Sequence, residues 1–186
     1  MKKIAVIYHS GYGHTAFFAN KVAEGAAATK KVEVEVLTVE QATARMDTLG
    51  QFDGMIWGSP TYMGNVSGPF KTFMDASGSV WMKQGWSGKW AAGFTVSGSP
   101  SGDKQSTLIS LTVLAAQHGM FWMPLMMTNE TYAGVKPDDA VNRLGSSLGA
   151  MAQAGQVAPE VAFAPGDLKT ATLFGAKFAE TVATKS

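Results

Sequence analysis

Residues 3–15 read KIAVIYHSGYGHT, and the change of character inside that stretch decides the fold. Lys3 to Tyr8 is a run of β-branched, apolar and aromatic residues without polar alternation, the pattern of a strand buried on both faces. Ser10 to Thr15 is a polar turn with two glycines. After it, Phe17, Phe18, Val22 and Ala26 recur at helical spacing. A doubly buried strand that turns straight into a helix is the first half of a strand–helix–strand unit.

Working outward, the same alternation repeats. Val32 to Leu37 alternates Val with Glu and reads as a half-exposed strand. Leu49 to Asp53 leads into a third strand at Met55-Ile56-Trp57, ended by Gly58-Ser59-Pro60. Gly68 to Met74 reads as a helix with Pro69 in its first turn. Trp90 to Val96 is a fourth strand. Lys104 to His118 carries Leu108, Leu111, Leu114 and Ala115 at helical spacing, and Phe121 to Met126 is a fifth strand. Helices are expected over Asp138 to Gln153 and Asp167 to Thr184, the latter with Phe174, Phe178 and Val182 on one face. Five strands alternating with helices, joined by right-handed crossovers, give an α/β, doubly wound parallel sheet with helices on both faces. The 186 residues fit one domain, 1–186. Residues 129–166 exceed what one connection needs and read as a helical insertion.

Composition narrows the chemistry. The chain has a net charge of +1 with 16% charged residues. That excludes recognition of nucleic acid through a general positive field and docking as a strongly acidic carrier. There is no cysteine, so thiol redox chemistry, cysteine-bound zinc and iron–sulfur clusters are ruled out; redox work would fall to an organic cofactor. The apolar run after Lys2 and Lys3 is too short for a signal segment, and the later one around Phe121 to Met127 is broken by Pro124. The expected setting is the cytoplasm, without a membrane partner.

Open parallel sheets bind ligands outside the carboxyl ends of their strands, near the point where strand order reverses. Three donor-rich loops fall at such ends. Ser10-Gly11-Tyr12-Gly13-His14-Thr15 joins the first strand to a helix N-terminus, where free N–H groups and the dipole favour an anion. It has no Lys or Arg and lacks the ending of a nucleotide triphosphate loop. It suits a terminal monophosphate, or it is an ordinary capped turn. Ser59 to Pro69, with Pro60, Thr61, Tyr62, Met63 and Gly64, combines exposed backbone with an aromatic and a methionine, as the edge and flank of a flat heteroaromatic ring require. Ser97-Gly98-Ser99-Pro100-Ser101-Gly102 adds further backbone donors. The bland readings are a surface loop and a linker. His9 reads as a structural residue at a strand end, and Trp57, Trp90 and Trp122 as core.

Together the three loops resemble the flavodoxin-like NAD(P)H:quinone oxidoreductases of the Trp-repressor-binding-protein type. Pro60-Thr61-x-x-Gly64-Asn65-x-Ser67-Gly68 with Phe73 and Asp75 is similar to that family's second loop. Trp81 with Gly88-Lys89, and Ser97 to Gly102 followed by Gln105, Thr107 and His118-Gly119, are similar to the next landmarks. Tyr62-Met63 stands where the family usually has Arg-Phe.

The resemblance implies a sheet of order 2-1-3-4-5 and FMN as cofactor. Ser10 to Thr15 would hold the phosphate, Thr61 to Met63 the ring, and Ser97 to Gly102 the pyrimidine end. It implies NAD(P)H as hydride donor, with Tyr12 touching the nicotinamide nucleotide, and a quinone as acceptor. Trp81 and His118 would act catalytically above the ring, His118 as a proton or hydrogen-bond donor. A flavodoxin-type carrier or an FMN-binding accessory protein is the alternative. A homodimer or homotetramer is expected, because Trp81 and Trp86 lie in a glycine-rich loop where exposed aromatics would otherwise be a liability.

Overall fold

The computed structural model describes residues 1–184. The elements follow in the order β1 (Lys2–Tyr8), α1 (His14–Ala28), β2 (Val32–Thr38), α2 (Val39–Ala44), β3 (Gly54–Tyr62), β4 (Asn65–Val66), α3 (Gly68–Ala76), α4 (Gly78–Met82), β5 (Trp90–Ser97), α5 (Lys104–Gln117), β6 (Phe121–Trp122), β7 (Ala150–Gln153) and α6 (Pro165–Thr184). Four strands pair in parallel in the order β2-β1-β3-β5, with β6 and β7 on the outer side of β5. The doubly wound sheet and the order expected for the five strands are therefore present.

Burial explains why the apolar runs became strands. Ile4 to Ile7 of β1 and Met55 to Trp57 of β3 are solvent-free, because helices cover both faces. On one face α1 and α6 pack on Val6, Ile56 and Phe94 through Phe18, Val22, Phe174 and Phe178. On the other, Phe70, Phe73, Trp86, Leu108 and Leu111 close over Ile7, Met55 and Trp57. The α1–α6 crossing is set by glycine. A Cβ on Gly25 would sit 1.9 Å from the Thr172 carbonyl oxygen, and one on Gly175 1.9 Å from that of Val22.

Two expectations are corrected. The fifth strand is split. Phe121 and Trp122 pair with Trp90 and Ala91 at the start of β5, and the chain returns as Ala150–Gln153 beside Phe94–Ser97. Pro124 cannot donate to the ladder, and the segment leaves the sheet there. The helix expected over Asp138 to Gln153 does not form: residues 137–149 are turns and bends, and Ala150–Gln153 is strand. The second loop also differs. Met63 and Gly64, at φ 48° and 80°, form a two-residue hairpin turn that folds β4 back on Thr61 and Tyr62.

Candidate functional site: a cleft on the carboxyl edge of the sheet

Sheet order reverses at β1, whose neighbours β2 and β3 lie on opposite sides. The loops that leave β1 and β3 part there, and a cleft of about 670 Å³ opens between them. Ser10, Tyr12, His14 and Thr15 line one wall, Pro60, Thr61 and Tyr62 another, and Val96, Ser97 and Gly98 a third. The first three expected loops thus converge. The fourth wall, Ala154 to Val157, follows β7 and was invisible while β7 was read as helix.

The first loop is built for an anion. Gly13, at φ 87°, caps α1 without any side-chain hydrogen bond. The helical ladder starts with Phe17 N–H to the Gly13 carbonyl, 2.9 Å, so the N–H groups of the first turn have no intrahelical acceptor. No acidic side chain occupies that turn. Ser10 Oγ is buried without a hydrogen-bond partner. Such an atom costs about 1–3 kcal/mol unless something supplies the bond, and a phosphate oxygen would. No Lys or Arg lines the cleft among the described residues.

Buried hydroxyl contacts fix the other walls. Thr61 Oγ1 lies 2.8 Å from both Thr95 Oγ1 and Thr107 Oγ1, which ties β3 to β5 and α5. Ser67 Oγ lies 2.8 Å from His9 Nδ1 and joins the end of β1 to the start of α3. His14 Nε2 lies 2.8 Å from the Val157 carbonyl and joins the first wall to the fourth. The rim is aromatic: Tyr12 and Tyr62 meet edge to face with centroids 6.3 Å apart. Burial, and to a lesser degree the nearby Tyr12 phenol, push the Tyr62 hydroxyl above its ordinary range, which keeps it a neutral donor.

Other expected residues lie elsewhere. Gly11 belongs to the first loop and packs against the Tyr62 hydroxyl. Met63 is fully exposed at the hairpin tip, beside Gly64. Ser99 and Gly102 do not line the cleft. Within one chain, Trp81 and His118 are not in the cleft. They line a separate hollow with Met74, Ser77 and Leu114. Helix α5 leads away from the carboxyl edge for about 21 Å at 1.5 Å per residue, and its C-cap is His118. His118 is 1% exposed. Ser77 Oγ donates to the Met74 carbonyl, so at 2.9 Å it accepts from His118 Nε2. That leaves His118 Nδ1 an unpartnered acceptor, and burial lowers the pKa of the ring. Trp86, expected to be exposed, is fully buried against Trp57, Phe73 and His118. Trp81 remains 43% exposed.

The profile of a family described as NADPH-dependent FMN reductase matches residues 2–132, which hold three walls of the cleft. The chain belongs to that family. FMN is accordingly its cofactor, and the empty-handed Ser10 hydroxyl, the uncapped α1 and the aromatic rim fit a phosphate joined to a flat ring. Flavodoxin FldP of Pseudomonas aeruginosa is 41% identical over 181 residues, 96% of each chain. A flavodoxin, WrbA-like protein from Agrobacterium tumefaciens is 34% identical, with a TM-score of 0.74 over 100% of both chains. Flavodoxin 1 from Bacillus cereus, at 20% identity and a TM-score of 0.65 over 96% of this chain and 98% of its own, shares the fold. Among the described residues no helix is long and apolar enough to cross a membrane.

Proposed function

We propose that this FMN reductase-family protein moves electrons from NAD(P)H to a quinone or a similar small, flat acceptor. The observation that carries the reading is the convergence of an unpartnered buried Ser10 hydroxyl, an uncapped helix and an exposed aromatic rim on one cleft. Ser10 to Thr15 would hold the phosphate by neutral donors. Pro60 to Tyr62 would flank the ring, and Ser97 and Gly98 would face its pyrimidine edge. FMN held there would supply the two-electron chemistry between nicotinamide and the acceptor. Tyr12, 79% exposed, and Tyr62, 38% exposed, offer stacking faces to each substrate in turn. The Tyr62 hydroxyl can donate a hydrogen bond to a carbonyl oxygen. No side chain in the cleft need act as a strong acid or base.

A role for Trp81 above the ring requires a second copy of the chain, because its own cleft lies at the other edge of the sheet. That role therefore goes with a homodimer or homotetramer. The name of the 41% identical relative favours a second reading, a flavodoxin-type carrier that gives electrons to proteins. Stopped-flow reduction of the FMN-loaded protein by NADPH or NADH, followed by reoxidation with benzoquinone, separates the two. Turnover in both half-reactions is expected. Reduction only by a partner reductase, with no response to nicotinamide, would establish the carrier.

A further inference from the structure

Lys104, the first residue of α5, is 1% exposed. An ammonium has three donors, and here all three go to successive main-chain carbonyls: Ser99 at 2.5 Å, Pro100 at 3.1 Å and Ser101 at 3.4 Å. Among the described residues no carboxylate forms an ion pair with it. The acid in its field, Asp167, is engaged at both oxygens by Arg143, at 2.9 and 3.0 Å, and by the Gln153 N–H at 3.0 Å. A buried cation without an anion is costly, so its place needs a reason.

The loop supplies one. Ser97 and Gly98 line the cleft and are held by the neighbouring β7 segment, by Ala154 N–H to the Ser97 carbonyl at 3.0 Å and Gln153 Nε2 to the Gly98 carbonyl at 3.2 Å. Ser99, Pro100 and Ser101 are exposed. Apart from the 3.4 Å contact of Ser97 Oγ with the Ser99 carbonyl and the turn bond of Lys104 N–H to Ser101, among the described residues only the Lys104 ammonium gathers them. We propose that Lys104 is a positioning residue for the cofactor: its ammonium clamps the Ser99–Ser101 carbonyls and so sets Ser97 and Gly98 against the cleft. This rests on the cleft being the FMN site.

The clamp is sensitive to pH. Lys104 is faced by Asp167 from α6, which favours the ammonium, and by Arg143 from the connection between β6 and β7, which opposes it; Asp103 precedes it in the chain. Burial outweighs both and lowers its pKa from 10.5 to about 8. Above that pH the group is a neutral amine with two donors, and the loop loosens. Fold stability responds with the opposite sign. Between about 8 and 10.5 the unfolded chain binds this proton and the folded chain does not, so the contribution of Lys104 to stability rises with pH while FMN affinity falls.

The test is the FMN dissociation constant of the wild type, Lys104→Met and Lys104→Arg across pH 6.5–9.5, by flavin fluorescence quenching, with the melting temperature of each apoprotein. The wild-type constant is expected to rise about tenfold through an apparent pKa near 8, as lost charge-assisted hydrogen bonds require. Lys104→Met should be about tenfold weaker at neutral pH and show no step, and Lys104→Arg should show no step. A flat wild-type profile, or a Met variant with wild-type affinity, would overturn the clamp. Should the Met variant fail to fold, the wild type decides: affinity falling with a steady or rising melting temperature supports the clamp, and both falling together overturns it. No FMN binding by the wild type at neutral pH would instead overturn the assignment of the cleft.

Discussion

The cleft and the Trp81–His118 hollow are both concave, yet they differ in what their polar groups face. In the cleft, polar groups are left without partners: Ser10 Oγ is unsatisfied and α1 has no side-chain cap. In the hollow, His118 Nε2 is held by Ser77 and its ring packs on Trp86 with centroids 4.2 Å apart, while His118 Nδ1 and Trp86 Nε1 are buried without partners as well. The difference is what surrounds the unpartnered atoms: in the cleft an orphan hydroxyl adjoins the uncapped N-terminus of α1, and in the hollow the orphan ring nitrogens belong to side chains packed on each other. Loop composition placed three walls of the cleft at one sheet edge. Family resemblance added Trp81 and His118 to that edge, whereas the length of α5 carries His118 to the other.

The largest effect that could break this contrast is in the first loop. Each charge-assisted hydrogen bond contributes about 1.5–3 kcal/mol, so Ser10→Ala with Thr15→Ala should weaken FMN at least about a hundredfold and leave the melting temperature nearly unchanged. Equilibrium dialysis of FMN against the double variant measures this; an unchanged constant would remove the functional distinction between the two regions.

The hollow should answer in the reverse sense. His118→Ala should cost about 2–4 kcal/mol of stability, from the cavity beneath Trp86 and the lost bond to Ser77, with FMN affinity preserved. Urea unfolding at neutral pH checks it. The folded-state pKa of His118 lies below its ordinary 6.5. Its neutral form therefore supports the fold above about pH 6.5, and that support is lost as pH falls through the range where the unfolded ring takes a proton. The wild type should lose more stability than His118→Ala between pH 7 and 5.

The smallest expected effect sharpens the contrast further. Trp81→Ala, at an exposed position, should change stability by about 0.5 kcal/mol or less and leave FMN affinity untouched. If light scattering finds a dimer or tetramer, the same variant should raise KM for benzoquinone; in a monomer KM should not move.

Much of this was legible in the sequence because burial on both faces leaves an unmistakable apolar run, as in Lys3 to Tyr8 and Met55 to Trp57. The split fifth strand was not. Ala150-Met-Ala-Gln153 is made of good helix formers, and only its place beside Phe94–Ser97 makes it a strand. Gly145 and Gly149 were the available warning that the helix would not form. The fourth wall of the cleft was lost with it. Trp86 looked exposed because it sits in the small-residue run Gly85-Trp86-Ser87-Gly88, and it is instead core. Lys104 reads as an ordinary helix-start lysine; nothing local shows that the preceding loop folds its carbonyls around it.

A phosphate seated on the Ser10 to Thr15 loop of the carboxyl-edge cleft is tested most directly by titrating wild type and Ser10→Ala with FMN and with riboflavin, which has the same ring and no phosphate. The wild type should bind FMN at least about a hundredfold more tightly than riboflavin, from two or more charge-assisted bonds, and the gap should narrow about tenfold in Ser10→Ala. Equal affinities for the two flavins in the wild type would contradict it.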